Sequence, residues 1–223
     1  ELENIARTFS LKLYDYIGVY KDIPAPDLGT NSKIIDWMTD EYCKINDNKH
    51  QVGIYTGKSI NYYGSKGREI ATGYGVGQSI IEWSKFNNID LNGKTYIIQG
   101  LGNVGYNTVD RLNKLGMIMI GAGDHTGYIV NKNGIDDKSL LNHIKNGNLL
   151  NNFDKSMEVD KNDFFSTECD IIIPSATQMQ ITKDNIDNIN CKLVVEAANG
   201  PIDIEADNKL NKRKIDVIPD IYA

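Results

Sequence analysis

Gly100-Leu101-Gly102-Asn103-Val104-Gly105 is the segment of this 223-residue chain best suited to hold a ligand. It fits G-x-G-x-x-G. It follows a short apolar run, Thr95-Tyr96-Ile97-Ile98, and opens a stretch with Val104, Val109, Leu112 and Leu115 at helical spacing. In that setting each glycine has a task. Gly100 turns the chain out of a strand, Gly102 lets a pyrophosphate approach the backbone, and Gly105 lets the helix lie close on the strand. The helix start adds N–H donors and partial positive charge for phosphate. Gly100, Gly102, Asn103, Val104 and Gly105 are therefore candidate dinucleotide contacts.

Asp124 stands roughly 20 residues further on, where a carboxylate binds the adenosine ribose hydroxyls. A carboxylate there accepts two hydroxyl hydrogen bonds and repels a 2′-phosphate, which favours NAD over NADP. A second role competes, because Gly123-Asp124-His125-Thr126-Gly127 is also a good turn. A third candidate, Asp27, sits on Ile23-Pro24-Ala25-Pro26-Asp27-Leu28-Gly29. Prolines hold such a carboxylate in place at little entropic cost, which suits proton transfer. Asp27 could instead cap the helix that begins near Asn31, a role for which Thr30 also competes.

The elements that position these residues follow from periodicity. Residues 1–17 read as a helix with Leu2, Ile5, Phe9, Leu13 and Ile17 on one stripe. A second helix runs from about Asn31 to Ile45, with Ile34, Trp37, Met38 and Ile45 inward, and Asn46-Asp47-Asn48 breaks it. Residues 53–70 read as a loop with room for a short strand. A helix from Thr72 to Asn87 turns Val76, Ile80 and Trp83 inward.

From Lys94 the pattern becomes strand, helix, strand, with Met117-Ile118-Met119-Ile120 as the second strand. A helix over Asp136–Lys145, a strand at Ile171–Ile173 ended by Pro174, and a short helix capped by Thr182 come next. A strand at Leu193–Val195, a polar helix at Ile204–Lys212 and a strand at Val217-Ile218 complete the series. Continuous apolar strands suit a parallel sheet covered on both faces. The fold expected is α/β, a doubly wound Rossmann-like and mostly parallel sheet, preceded by helices.

Composition narrows the function. Net charge is −6 and no basic stripe is present, which argues against nucleic acid; Lys212-Arg213-Lys214 reads as a solvated helix end. No apolar stretch approaches the ~20 residues of a membrane span. Cys43, Cys169 and Cys191 have no zinc or redox spacing, and His50, His125 and His143 are scattered, so no metal site and reduced thiols in a cytoplasmic setting are expected.

Several further segments resemble the glutamate dehydrogenases. They are Asp22-Ile23-Pro24-Ala25-Pro26-Asp27 with Thr30-Asn31, Trp37-Met38-Thr39-Asp40-Glu41-Tyr42, Thr56-Gly57-Lys58, and the run from Gly64 through Arg68-Glu69 and Ala71-Thr72-Gly73 to Val76. Gln99–Gly105, Pro174-Ser175-Ala176-Thr177-Gln178, Glu196-Ala197-Ala198-Asn199-Gly200-Pro201 and Val217-Ile218-Pro219-Asp220 complete the set. These matches are collinear and cover nearly the whole chain, and so are far more specific than the glycine motif alone.

The resemblance implies oxidative deamination of L-glutamate to 2-oxoglutarate and ammonia with NAD or NADP, and the reverse amination. Hydride passes between the substrate Cα and nicotinamide C4. Asp27 matches the family's acidic catalytic residue. Thr72 and Asn103 match cofactor-contacting positions, and Ala176 and Asn199 match residues near the nicotinamide. Bland roles compete here too: Thr72 as a helix cap, and Asn199-Gly200 as a turn after a strand.

Residues 1–48 then correspond to the end of a substrate domain and 49–223 to the cofactor domain. The family's glycine-flanked catalytic lysine has no counterpart in the sequence; Lys58 and Lys66 lie in other contexts. The expectation is a chain cut at the front that binds dinucleotide without turning over glutamate. The full-length family suggests a homo-oligomer, a hexamer. Leucine, valine or phenylalanine dehydrogenases, and a non-catalytic dinucleotide-binding module, are the alternatives.

Overall fold

The computed structural model describes residues 1–27, 29–47, 51–153 and 158–223. Leu28, Asn48 and His50, and the boundary drawn at 48/49, lie outside the described residues. The chain divides into two compact units, Glu1–Glu69 and Ile70–Ala223.

The first unit is built on α1 (Leu2–Leu13) and α2 (Ser32–Ile45). Helix α1 stops at Leu13, short of the expected 17, and Ile17 is buried in a bridge to Asp22 beyond it. The face of α1 that is buried carries Ala6 and Ser10, whereas Leu2, Ile5 and Phe9 are about half exposed. Ser10 is buried because it is satisfied: its hydroxyl donates to the Met38 carbonyl (2.8 Å) and accepts from Tyr55 Oη (2.9 Å). Ile34, Ile35, Thr39 and Tyr42 are the buried residues of α2, while Trp37, Met38 and Ile45 are half-buried. Arg7 joins the helices through Asp40 and Glu41 and pairs with Glu3 on its own helix. Residues 53–69 hold a single 3-10 turn, Ile60–Tyr62, and no described strand.

The second unit is a seven-stranded sheet in the order β4-β3-β2-β1-β5-β6-β7. Its strands are β1 (Thr95–Gln99), β2 (Ile118–Asp124), β3 (Gly127–Val130), β4 (Glu158–Val159), β5 (Ile171–Pro174), β6 (Leu193–Val195) and β7 (Asp216–Ile218). Strands β1, β2, β5, β6 and β7 pair in parallel; β3 and β4 add an antiparallel edge absent from the sequence reading.

Helices α3 (Ala71–Phe86), α4 (Asn103–Asn113), α5 (Asp137–Lys145), α6 (Lys161–Phe165) and α7 (Ile204–Lys212) flank the sheet. On one face Tyr96, Ile98, Ile173 and Val195 meet Val76, Ile80, Val109, Leu112 and Leu140. On the other, Ile97, Ile172 and Val194 meet Phe164, Phe165, Ala206 and Leu210. Both faces are covered, so the parallel strands carry apolar residues at successive positions. Trp83, expected inward, is half-buried and donates its Nε1–H to Asp216 (2.7 Å). Thr182 opens a turn rather than a helix, ahead of a 3-10 turn at Ile186–Asn188. Arg213 is not merely solvated: it donates to the carbonyls of Ile186 and Ile189.

Candidate functional site

Chain connections diverge at β1. Strand β2 lies on one side of it and β5 on the other, which makes their C-terminal ends the switch point where open α/β sheets bind ligands. Gly100 sits there with φ +99°, a value few side chains tolerate. Its N–H donates to the Gly123 carbonyl at the end of β2 (2.6 Å). From β5, the Ser175 N–H donates to the Gln99 carbonyl (2.7 Å), and the Ser175 hydroxyl is shared between the carbonyls of Gln99 (2.9 Å) and Gly100 (2.8 Å).

The three motif glycines differ in what surrounds them. A methyl group on Gly100 would lie 2.7 Å from the Ala176 nitrogen, and one on Gly105 only 1.8 Å from the Gly100 carbonyl oxygen. A methyl group on Gly102 would meet nothing within 4 Å. Folding therefore requires two of the glycines and leaves open space above the third. Gly102 is the N-cap of α4, and the first helical bond runs from the Tyr106 N–H to its carbonyl (2.8 Å). Val104 and Gly105 thus belong to a first turn whose N–H groups no helix carbonyl can reach, at the positive end of the helix dipole. Asn103 is exposed beside them, its Oδ1 accepting from Asn107 Nδ2 (3.1 Å).

Asp124 ends β2 opposite Gly127. Its Oδ1 accepts from both the N–H and the hydroxyl of Thr126, each at 2.7 Å. The turn role is real, yet it uses one oxygen; Oδ2 accepts no hydrogen bond among the described residues. Ala176 is exposed next to Gly100. Thr72 is exposed in the first turn of α3, one residue past the helix start, and so is not its cap, which is Ile70. That end of α3 is held to α4 by Thr108, whose hydroxyl donates to the carbonyls of Val104 (2.9 Å) and Gly73 (3.3 Å). Asn199 is exposed in the loop after β6.

Asp27 lies in the first unit. Thr30 closes a small loop on it: the Asp27 N–H donates to Thr30 Oγ1 (2.7 Å), which donates to the Asp27 carbonyl (2.6 Å). Neither residue caps α2. Asn31 does, accepting the Ile34 N–H (3.1 Å), so capping does not claim the Asp27 carboxylate. Asp27 is exposed at the rim of an apolar groove of about 340 Å³ that includes Ile5, Phe9, Pro24, Ile34 and Met38.

Several residues of the segments that resemble the family received no role from the sequence and tie the candidate site together through other atoms. Ser175 ties β1 to β5. The buried Gln99 donates its Nε2 to Gln180 Oε1 (2.6 Å) and Tyr128 Oη (3.2 Å), and Lys161 adds a bond to Gln180 (3.0 Å). Glu196 and Asp220 anchor the loop that carries Asn199. These partners are distant in sequence, so no local spacing announces them. Among the described residues no group of His, Cys, Asp and Glu could hold a metal ion, and no helix is long and apolar enough to cross a membrane.

A mostly parallel, doubly wound sheet with a glycine turn and a helix start at its switch point is the architecture of dinucleotide-binding domains. The Glutamate/Leucine/Phenylalanine/Valine dehydrogenase model matches residues 64–223, and the model of the dimerisation domain of the Glu/Leu/Phe/Val dehydrogenases matches residues 1–44. The chain belongs to this family of amino-acid dehydrogenases.

It is 39% identical to the NAD-specific glutamate dehydrogenase of Clostridioides difficile, a match covering all of this chain and 54% of that protein. Among solved structures it is similar to the hetero-hexameric glutamate dehydrogenase of Thermus thermophilus in its Leu-bound form (TM-score 0.91, 27% identity, 99% of this chain and 52% of that one). It is also similar to the glutamate dehydrogenase of Peptoniphilus asaccharolyticus (TM-score 0.77, 36% identity, 99% and 52%). The chain spans about half the length of the relatives it matches.

Proposed function

We propose that this chain carries the cofactor site of an NAD-dependent glutamate dehydrogenase, which interconverts L-glutamate with 2-oxoglutarate and ammonia. The observation that carries this reading is the open space over Gly102 at the start of α4, between two glycines that the fold itself fills. A pyrophosphate fits that space, with the first-turn amides of α4 as donors. Asp124, with Oδ2 available at the end of β2, suits the ribose hydroxyls and favours NAD; the Clostridioides difficile relative is NAD-specific. Thr72, Ala176 and Asn199 complete the contacts.

A bound nicotinamide supplies hydride acceptance and donation. The chain's own residues orient it, and Asp27 is assigned proton transfer at the substrate amino nitrogen. Because side-chain selection in the family extends to leucine, phenylalanine and valine, glutamate rests on the relatives. Assembly into a hexamer and residence in the cytoplasm complete the proposal.

The test joins this sequence behind the upstream half of the Clostridioides difficile relative and offers L-glutamate, leucine, valine and phenylalanine with NAD. Glutamate-dependent NAD reduction by the fusion, with binding but no turnover by the 223-residue chain alone, is the expected result. Preference for an apolar amino acid would overturn the substrate assignment.

A further inference from the structure

Strands β6 and β7 each send a carboxylate onto the other's C-terminal loop. Glu196 follows β6; its N–H donates to the Ile218 carbonyl (3.0 Å) and its Oε2 accepts the Asp220 N–H (3.0 Å). Asp220 follows β7, and its Oδ2 accepts the Gly200 N–H (2.8 Å). The same loop is tied at its base, where the Ala197 N–H donates to the Pro174 carbonyl of β5 (3.1 Å), and at its tip, where the Gly200 carbonyl accepts the Met179 N–H (3.0 Å). Asn199 is the exposed residue between these ties.

Placing the partly buried Glu196 beside a second, exposed carboxylate carries a cost. Burial pushes Glu196 above the usual carboxylate range, offset in part by the Asp220 N–H, and the Asp220 charge raises it further. The strands already pair through their backbones, so the sheet does not need this arrangement. What the two carboxylates fix is the path of the backbone on either side of Asn199.

We infer that Glu196 and Asp220 are positioning residues that hold Asn199 for the nicotinamide half of the dinucleotide, an inference that rests on the proposed cofactor site. Asp220 supplies the direct tie through the Gly200 N–H. Glu196 holds Asp220 in turn. The adenosine half, assigned to Gly100–Gly105 and Asp124, is independent of them.

The experiment titrates the full 223-residue chain, its D220A, D220N and N199A variants and the N199A/D220A double variant with NAD and, separately, with ADP. D220A is expected to weaken NAD binding about tenfold, the size of one lost charge-assisted hydrogen bond, and to leave ADP binding unchanged. D220N keeps an acceptor oxygen and should restore NAD binding. D220A should add nothing in an N199A background. Equal loss of NAD and ADP, or an undiminished effect without Asn199, overturns the positioning role while sparing the cofactor site. Failure of the wild-type chain to bind ADP overturns the cofactor site and this inference with it.

Discussion

Gly105 packs so closely on the carbonyl oxygen of Gly100 that a methyl group in its place would lie 1.8 Å from that oxygen, while the same group on Gly102 would touch nothing. The two glycines should therefore fail differently. G105A is expected to cost about 3 kcal/mol or to prevent folding, because backbone rather than a movable side chain blocks the new methyl. G102A should change stability by less than about 0.5 kcal/mol yet weaken NAD binding at least about tenfold. Urea unfolding paired with calorimetric titration reads both quantities. Unimpaired NAD binding by G102A would remove the pyrophosphate from above Gly102.

Asp124 holds the turn through Oδ1, and the proposed function gives Oδ2 to the ribose; D124N separates the two roles. Asparagine keeps an oxygen for the Thr126 N–H and hydroxyl but loses the charge. The turn, and hence the unfolding midpoint, should hold. The ratio of NAD to NADP affinity should fall about tenfold, as repulsion of the 2′-phosphate disappears. A shift in stability with no change in that ratio would reduce Asp124 to a turn residue.

Asp137 is expected to give the second unit a pH dependence. Asp137 is buried at the start of α5 with Oδ2 accepting from Asn113 Nδ2 (2.8 Å); among the described residues its Oδ1 and the Tyr96 hydroxyl have no hydrogen-bond partner. Burial pushes Asp137 above the usual carboxylate range, the Asn113 bond offsets part of this, and the charge of Asp136 adds to it. A carboxyl raised in the folded state contributes stability that is fully present below its unfolded value and lost as pH rises through its folded value. D137N should therefore unfold at higher urea than the wild type near neutral pH, with the advantage shrinking towards acid. A D137N deficit that is the same at every pH would contradict the assignment.

Asn31 tests the first unit. It caps α2 by accepting the Ile34 N–H, so N31A should cost about 1 kcal/mol, with N31D tolerated. Equal stability of N31A and wild type in urea would show that the cap carries no weight.

The sheet was legible wherever both faces of a strand are buried, as at Ile171–Ile173 and Leu193–Val195, because such strands must be apolar throughout. The edge was not. Strand β3 follows a His125-Thr126 turn that lacks the Asn-Gly or Asp-Gly signal of a hairpin, and β4 has two residues. Periodicity found an apolar stripe on α1 but not its buried side, which runs through Ala6 and a hydrogen-bonded Ser10. Around the turn, Gly100 and Gly105 could be read because each answers a steric demand of the fold, and Gly102 because the motif places it at the helix start. Ser175, Glu196 and Asp220 could not, since they act on backbone atoms of segments 20 to 76 residues away.

Calorimetric titration of the 223-residue chain with NAD and with NADP tests the central claim most directly. Saturable binding of NAD, tighter than that of NADP, is the expected result. A chain that is folded by its cooperative unfolding and binds neither at about millimolar concentration would contradict the assignment of Gly100–Gly105 as a dinucleotide site.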